Sequence, residues 1–177
     1  MRKSTCLGVL AGLLTILVPA ISNAQSASTR VDVGPGHAAA NGAANGHWKR
    51  VHTESKVGPI GSLGRALAIG AGPNGLSISH SIGLNGPGQG IGHNFNLSIG
   101  PSGAHVSRGA VNAAGGPTRV IAGGNTGFQR FGPPIGGSTV TGFGHRTTAV
   151  SESRVTPPLP PRMPPFGGRM MRGPFRF

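Results

Sequence analysis

The sequence predicts a mainly β protein: an antiparallel meander built from 14–16-residue units punctuated by Gly-Pro. Three observations predict it. The first is period. Gly-Pro recurs every 14 residues at Gly58-Pro59, Gly72-Pro73, Gly86-Pro87 and Gly100-Pro101, then every 16 at Gly116-Pro117 and Gly132-Pro133. A fixed period marks a repeating supersecondary unit. Without it, 33 glycines and 16 prolines among 177 residues would read as low complexity.

The second observation is alternation between the corners. Leu76, Ile78, His80, Ile82 and Leu84 alternate with Ser77, Ser79, Ser81 and Gly83. Ile91, His93, Phe95, Leu97 and Ile99 alternate with Gly92, Asn94, Asn96 and Ser98. Period two over nine residues is a strand signal, and glycine with proline at the junctions is turn chemistry.

The third is register. Folding the chain about Pro87-Gly88 sets Leu84 opposite Ile91, Ile82 opposite His93, His80 opposite Phe95, Ile78 opposite Leu97 and Leu76 opposite Ile99. Ser81, Ser79 and Ser77 then oppose Asn94, Asn96 and Ser98. Folding about Pro73-Asn74 opposes Ile78 to Ile69, His80 to Leu67 and Leu84 to Leu63; about Pro101-Ser102, Leu97 meets Val106 and Ile99 meets Ala104. One apolar face thus runs across four strands, and a slip of one residue would destroy it.

The elements follow in chain order. Residues 1–24 read as an export signal: Arg2 and Lys3, an apolar stretch from Leu7 to Ala20, and small residues before a cleavage point at Ala24. That places the mature chain outside the cytoplasm, as a secreted, periplasmic or cell-surface protein. Residues 25–46, rich in Ala, Gly, Ser and Asn, read as a flexible linker. His47–Val57 suits either a helical face through Trp48, Val51 and Ser55 or a strand; the strand reading is preferred. Residues 47–112 hold the meander and 113–150 degenerate Gly-rich repeats, with short strands expected near Arg119–Ala122, Phe128–Phe131 and Ser138–Phe143. Residues 151–177 read as a disordered Pro/Arg-rich basic tail, extended around Pro157–Pro161.

A sheet with one apolar face must cover that face. The sheet is therefore expected to curl, to be covered by flanking segments, or to dock on a second copy. Its opposite face of Gly, Ala, Ser and Asn is flat enough for close stacking, and bare edges would invite strand addition.

Charge bounds the partner. The formal net charge is +13, or +11 without Arg2 and Lys3, and the acids are Asp32, Glu54 and Glu152. Such a chain adsorbs to polyanions; export points to anionic polysaccharide, lipid or another envelope polymer rather than nucleic acid. Arg154, Arg162, Arg169, Arg172 and Arg176 are the candidate polyanion-binding residues. Cys6, the sole cysteine, lies within the export signal, so the mature chain has no disulfide and no thiolate ligand.

Catalysis finds little to work with. Three scattered acids do not make a carboxylate pair, and a Ser-His-acid relay would have to draw on one of them. No cofactor is expected. His80 and His93, diagonal neighbours in the predicted register, are candidate metal ligands if His52 approaches; otherwise they are rings packed in a half-buried face. Gly70, Gly72 and Gly75 match a phosphate-loop spacing but precede a strand rather than a helix, so they read as turn glycines. Pro157-x-x-Pro160-x-Arg162 reads as a stiff spacer, and the prolines at 164, 165 and 174 exclude a barrel-closing strand ending at Phe177. Glu54 and Arg65 are expected to face each other across a strand pair.

The leading expectation is an exported, noncatalytic structural or interaction protein that binds anionic envelope or matrix polymers. One alternative is a cationic membrane-active effector. In bulk glycine, histidine and charge the chain is similar to glycine-rich antimicrobial proteins of the attacin type, with no motif aligned. A second alternative is a self-assembling β-rich fibre component.

Overall fold

The computed structural model describes residues 25–129 and 132–158. It is all-β and antiparallel. The strands are β1 (Ser26–Gly34), β2 (His37–Asn45), β3 (Trp48–Gly58), β4 (Gly61–Gly72), β5 (Gly75–Gly86), β6 (Gln89–Gly100), β7 (Gly103–Ala114), β8 (Arg119–Phe128), β9 (Pro134–Phe143) and β10 (Arg146–Thr156). They form a six-stranded sheet in the order β10-β7-β6-β5-β4-β3 and a four-stranded sheet in the order β2-β1-β8-β9. The smaller sheet lies across the larger, β1 on β4 and β5, β8 on β5 and β6, β9 on β6 and β7. On one flank β2 runs beside β3, and on the other β9 runs beside β10.

The meander β3–β7 has the register that alternation dictates. Ile82 pairs with His93, His80 with Phe95, Ser79 with Asn96, Ile78 with Ile69 and Leu97 with Val106. Glu54 pairs with Arg65. Each corner is a two-residue loop closed by Gly58–Gly61, Gly72–Gly75, Gly86–Gln89 or Gly100–Gly103. Proline fixes the first loop residue, and a glycine supplies what other residues resist. At Gly75, φ is +128° and a Cβ would collide with the Ile99 carbonyl of β6, so the corner turns tightly against its neighbour.

The buried side of the six-stranded sheet is the small-residue face, not the Leu/Ile face. Ser77, Ser79, Ser81, Asn94, Asn96 and Ser98 have no exposed surface. Opposite them stand Ala27, Thr29, Val31 and Val33 of β1 and Val120, Ala122 and Thr126 of β8, all buried. At one end the interior is aliphatic: Val33, Val111, Ala113 and Val120 pack together, beside Val31, Ala66 and Ala122.

At the other end the interior is a hydrogen-bonded ring. Asn94 Nδ2 donates to Ser81 Oγ (2.8 Å), Ser81 and Thr29 hydroxyls meet at 2.7 Å, and Thr29 and Ser79 at 2.8 Å. Ser79 Oγ donates to Asn96 Oδ1 (2.6 Å), and Asn96 Nδ2 donates to Asn94 Oδ1 (2.6 Å), which closes the loop. Read in one direction, each hydroxyl donates once and accepts once, as its chemistry allows. The ring joins β1 of one sheet to β5 and β6 of the other. Gly124 of β8 lies against it: a Cβ there would sit 2.5 Å from Asn94 Oδ1 and from the Gly137 carbonyl.

Three expectations are corrected. Residues 25–46 are not a linker but strands β1 and β2, paired from Ser26–Asn45 to Gly34–His37. Their small residues fit a closely stacked sheet, a composition that also resembles a linker. Residues 151–156, assigned to the tail, complete β10, which pairs with β7 along its length. The flanking segments do cover the meander, but over its small-residue side, because that side allows close approach and satisfies its polar groups across the gap. In residues 113–150 the expected strands Arg119–Ala122 and Ser138–Phe143 lie within the longer β8 and β9; of Phe128–Phe131, Phe128 ends β8, and Arg130 and Phe131 lie outside the described residues.

This inside-out arrangement is directly measurable. Ser79→Ala, which breaks the ring, is expected to lower stability by about 1–3 kcal/mol. Gly124→Ala, which pushes into it, should cost a similar 1–3 kcal/mol. Ile91→Ser, at a side chain 46% exposed, should stay within about 0.5 kcal/mol of the parent. Urea unfolding of the three variants checks the ordering.

Candidate interaction face

Covering one side of the six-stranded sheet leaves the other outermost, and the pairings place its residues in cross-strand rows. One row runs Arg50, Ile69, Ile78, Leu97, Val106, Arg154 from β3 to β10. The next runs His52, Leu67, His80, Phe95, Arg108, Glu152. A third runs Glu54, Arg65, Ile82, His93, Ala110, Val150, and a fourth Lys56, Leu63, Leu84, Ile91, Asn112, Thr148. The centre, on β4–β6, is mainly aliphatic and aromatic, interrupted by Arg65 on β4 and by His80 and His93. The margins, on β3 and on β7 with β10, are cationic.

The apolar stripe measures about 15 Å by 27 Å from strand spacing and rise, on the order of 400 Å². Leu84, Ile91 and Ile99 are 46–49% exposed, while Ile78, Ile82, Phe95 and Leu97 are half-buried by their neighbours. Patches of this size on a monomer are often functional. At its Gly58–Gly61 end the stripe continues into an open depression of about 520 Å³ beside Lys56, Ile60, Leu63 and Leu84. The outer face of the smaller sheet is more polar: Ser26, Ser28, Arg30 and Asp32 on β1, with Asn41, Asn125, Thr139 and Thr141 beside them; its larger apolar side chains are Ile121, Ile135 and Phe143.

All three acids are engaged by cations. Asp32 accepts Nε (2.8 Å) and Nη2 (2.5 Å) of Arg119, a two-pronged clasp between β1 and β8. Burial pushes the Asp32 carboxyl up, but the hydrogen bond and charge of Arg119, aided by His37 and Arg30, outweigh it and hold the group below its ordinary value. Glu54 meets Lys56 at 2.6 Å, and Glu152 meets Arg108 at 2.7 Å. Among the described residues, Arg50, Arg65, Arg146 and Arg154 on the outer face, with Arg30 and Lys49 elsewhere, make no ion pair.

Of the candidate polyanion-binding residues, Arg154 stands on β10 at the end of the first row. Arg162, Arg169, Arg172 and Arg176 lie outside the described residues. Arg50 and Arg146 were not singled out by sequence, and Arg65 only as the partner expected to face Glu54. Arg65 was within reach of the turn-folding test; Arg146 depended on a β7–β10 pairing that no local corner announces.

His80 and His93 are diagonal neighbours, as the register requires. His52 pairs with Leu67, which leaves it a full strand away from His80, about 10 Å. Among the described residues no group of three or more His, Cys, Asp or Glu converges as a metal site would. His80 is instead a neutral ring in the stripe. Burial, then the charges of Arg65 and His93, push its pKa down, and its Nε2 is buried without a partner. The glycines at 70, 72 and 75 end β4, close its corner and begin β5.

One histidine is interior. His105 of β7 is 1% exposed, with Nε2 3.0 Å from Ser153 Oγ of β10. Burial pushes its pKa down, against a backbone hydrogen bond to Gly136.

No protein-family model, curated protein or solved structure matches this chain.

Acid should therefore loosen the fold in two stages. His80 and His105 have folded pKa values below the ordinary histidine value of about 6.5, so the unfolded chain takes up the proton first. Their contribution is complete above about pH 6.5 and is lost as pH falls below it. The Asp32 carboxyl, depressed in the fold, adds stability that is lost as pH falls through the carboxylate range, below about 4. Urea midpoints between pH 8 and pH 3 should show both declines. His105→Gln should flatten the first.

Proposed function

We propose that this chain is an exported, noncatalytic interaction protein that binds anionic envelope or matrix polymers. The observation carrying the reading is the excess of cations over acids on a rigid face. Among the described residues Arg50, Arg65, Arg146 and Arg154 form no ion pair, although Arg65 stands opposite Glu54, and each of the three side-chain carboxylates is already held by another cation. Guanidinium groups match phosphate and carboxylate oxygens in a fixed fork, and the arginines at 162, 169, 172 and 176 extend the same chemistry past β10. The residues 1–24 that read as an export signal support placement in the envelope. The fibre reading has less in its favour, since the outer strands of the two sheets run side by side on both flanks and so shield one another.

A second reading, a cationic membrane-active effector, is favoured by the exposed Leu/Ile stripe. The two part on vesicle leakage: micromolar protein should leave dye-loaded anionic vesicles sealed if it is an envelope component.

Salt-graded release of the full-length tagged protein from fractionated cells tests the leading reading. The bound fraction should come off between about 0.1 and 1 M salt, as the screening length shrinks from about 10 to 3 Å. An Arg50→Ser/Arg65→Ser/Arg154→Ser variant should elute earlier. Recovery of the wild type from the medium at low salt, with nothing on the envelope, would end the proposal.

A further inference from the structure

We infer that the outer face of the six-stranded sheet is a lipid-facing wall, which seats the protein flat on an anionic lipid surface. The Leu/Ile stripe meets the acyl boundary, and the arginine margins meet headgroup phosphates. The inference rests on the polyanion reading above and names the partner for this face.

Two features of the face must be met by one occupant. A purely polar polyanion would satisfy Arg50, Arg65, Arg146 and Arg154 but leave the stripe in water. A second copy of the chain would cover the stripe but oppose like charges. Stacked about a two-fold axis along the strands, Arg50 of one copy lies over Arg154 of the other, because both end the same row. Stacked about an axis across the strands, Arg50 lies over Lys56. The C-terminal residues are no better matched, since they bring four more arginines and no acid. An anionic amphiphile alone offers apolar contact at the centre and negative charge at the rim.

The geometry fits a surface rather than a span. The margins stand about 24 Å apart, five strand spacings, with the stripe between them. The opposite side of the sandwich is mostly small and polar, with Ser26, Ser28, Arg30, Asp32 and Asn125, and holds three larger apolar side chains, Ile121, Ile135 and Phe143, rather than a continuous stripe. The stripe also holds the rings of His80 and His93 and the guanidinium of Arg65; burial, then the charges of Arg65 and His93, push the pKa of His80 down.

Trp48, the only tryptophan, begins the outer row through Ala71, Leu76 and Ile99 and is 54% exposed, so it reports on this face. The full mature chain is mixed with phosphatidylcholine vesicles with and without phosphatidylglycerol, some carrying brominated acyl chains. With phosphatidylglycerol, Trp48 emission should shift to the blue and be quenched by bromine; with phosphatidylcholine alone it should do neither. Leu84→Ser/Ile91→Ser, a directly opposed and exposed pair, should weaken vesicle binding about tenfold or more, with a urea midpoint close to the parent's as the folding control. Arg30→Ser, on the far sheet, should bind as the parent does. Unquenched Trp48 on the anionic vesicles, or parental binding by the double variant, would overturn the inference. Retention on lipid-free wall polymer without vesicle binding would sink the lipid assignment alone; loss of both would sink the polyanion reading as well.

Discussion

The structure depends on how closely two sheets can approach through an interior of small polar residues. Thr29 can bond both Ser79 and Ser81 only because nothing bulky separates β1 from β5. Gly124 shows how little room remains on the β8 side. In such an interior each hydrogen bond adds a modest net stabilisation, whereas each orphaned donor or acceptor costs the full desolvation penalty. The closed ring of Asn94, Ser81, Thr29, Ser79 and Asn96 leaves no orphan among its members. It is therefore a device of specificity more than of strength: a register slip of one residue would drive Leu or Ile side chains into the ring.

Alternation then determines the outside. Each strand of the meander has a small side and a large side, and only one can face the other sheet. Taking the small side inward gives up burial worth about 1.5–3 kcal/mol for each Leu or Ile left fully in water. The loss is less than that figure implies, since Ile78, Ile82 and Leu97 shield one another within the sheet. What is gained is an interior in which every strand of the smaller sheet finds partners, from Ser62 bonded to the Gly34 carbonyl at one end to Ser98 bonded to Thr126 at the other. The apolar surface is displaced to the exterior, where it is continuous.

This explains which parts of the fold were legible in sequence. Gly-Pro corners and period-two alternation are local, and every cross-strand pair read from them between β3 and β7 is present. The choice of buried face is not local. Apolar side chains ordinarily point inward, and only the packing of the second sheet reverses that. Residues 25–46 carried one overlooked sign, since Gly34-Pro35-Gly36 is itself a corner, closed by Gly34 and His37 with Gly36 at φ +65°. Its strands lack large apolar residues because they lie over the small face, so they look like linker. The β7–β10 and β1–β8 pairings join residues far apart in the chain, and no period predicts them. The same gap hid Arg146 and the place of Arg154 in the fold, since both acquire their neighbours only through β7.

The margin is thus a product of the fold rather than of composition. An unfolded chain of this sequence would carry the same excess of arginine, distributed along a flexible thread. Folding brings residues 48–58 and 146–156 to opposite borders of one sheet and holds them there with the Leu/Ile stripe between. The interior ring maintains that separation by fixing β5 and β6, the two strands at the centre of the stripe, against β1. Small polar residues inside and large apolar residues outside are in this sense one decision, and the charged borders inherit their spacing from it. A surface that matched only the charge would bind either state; one that matches the bordered stripe can recognise only the folded one.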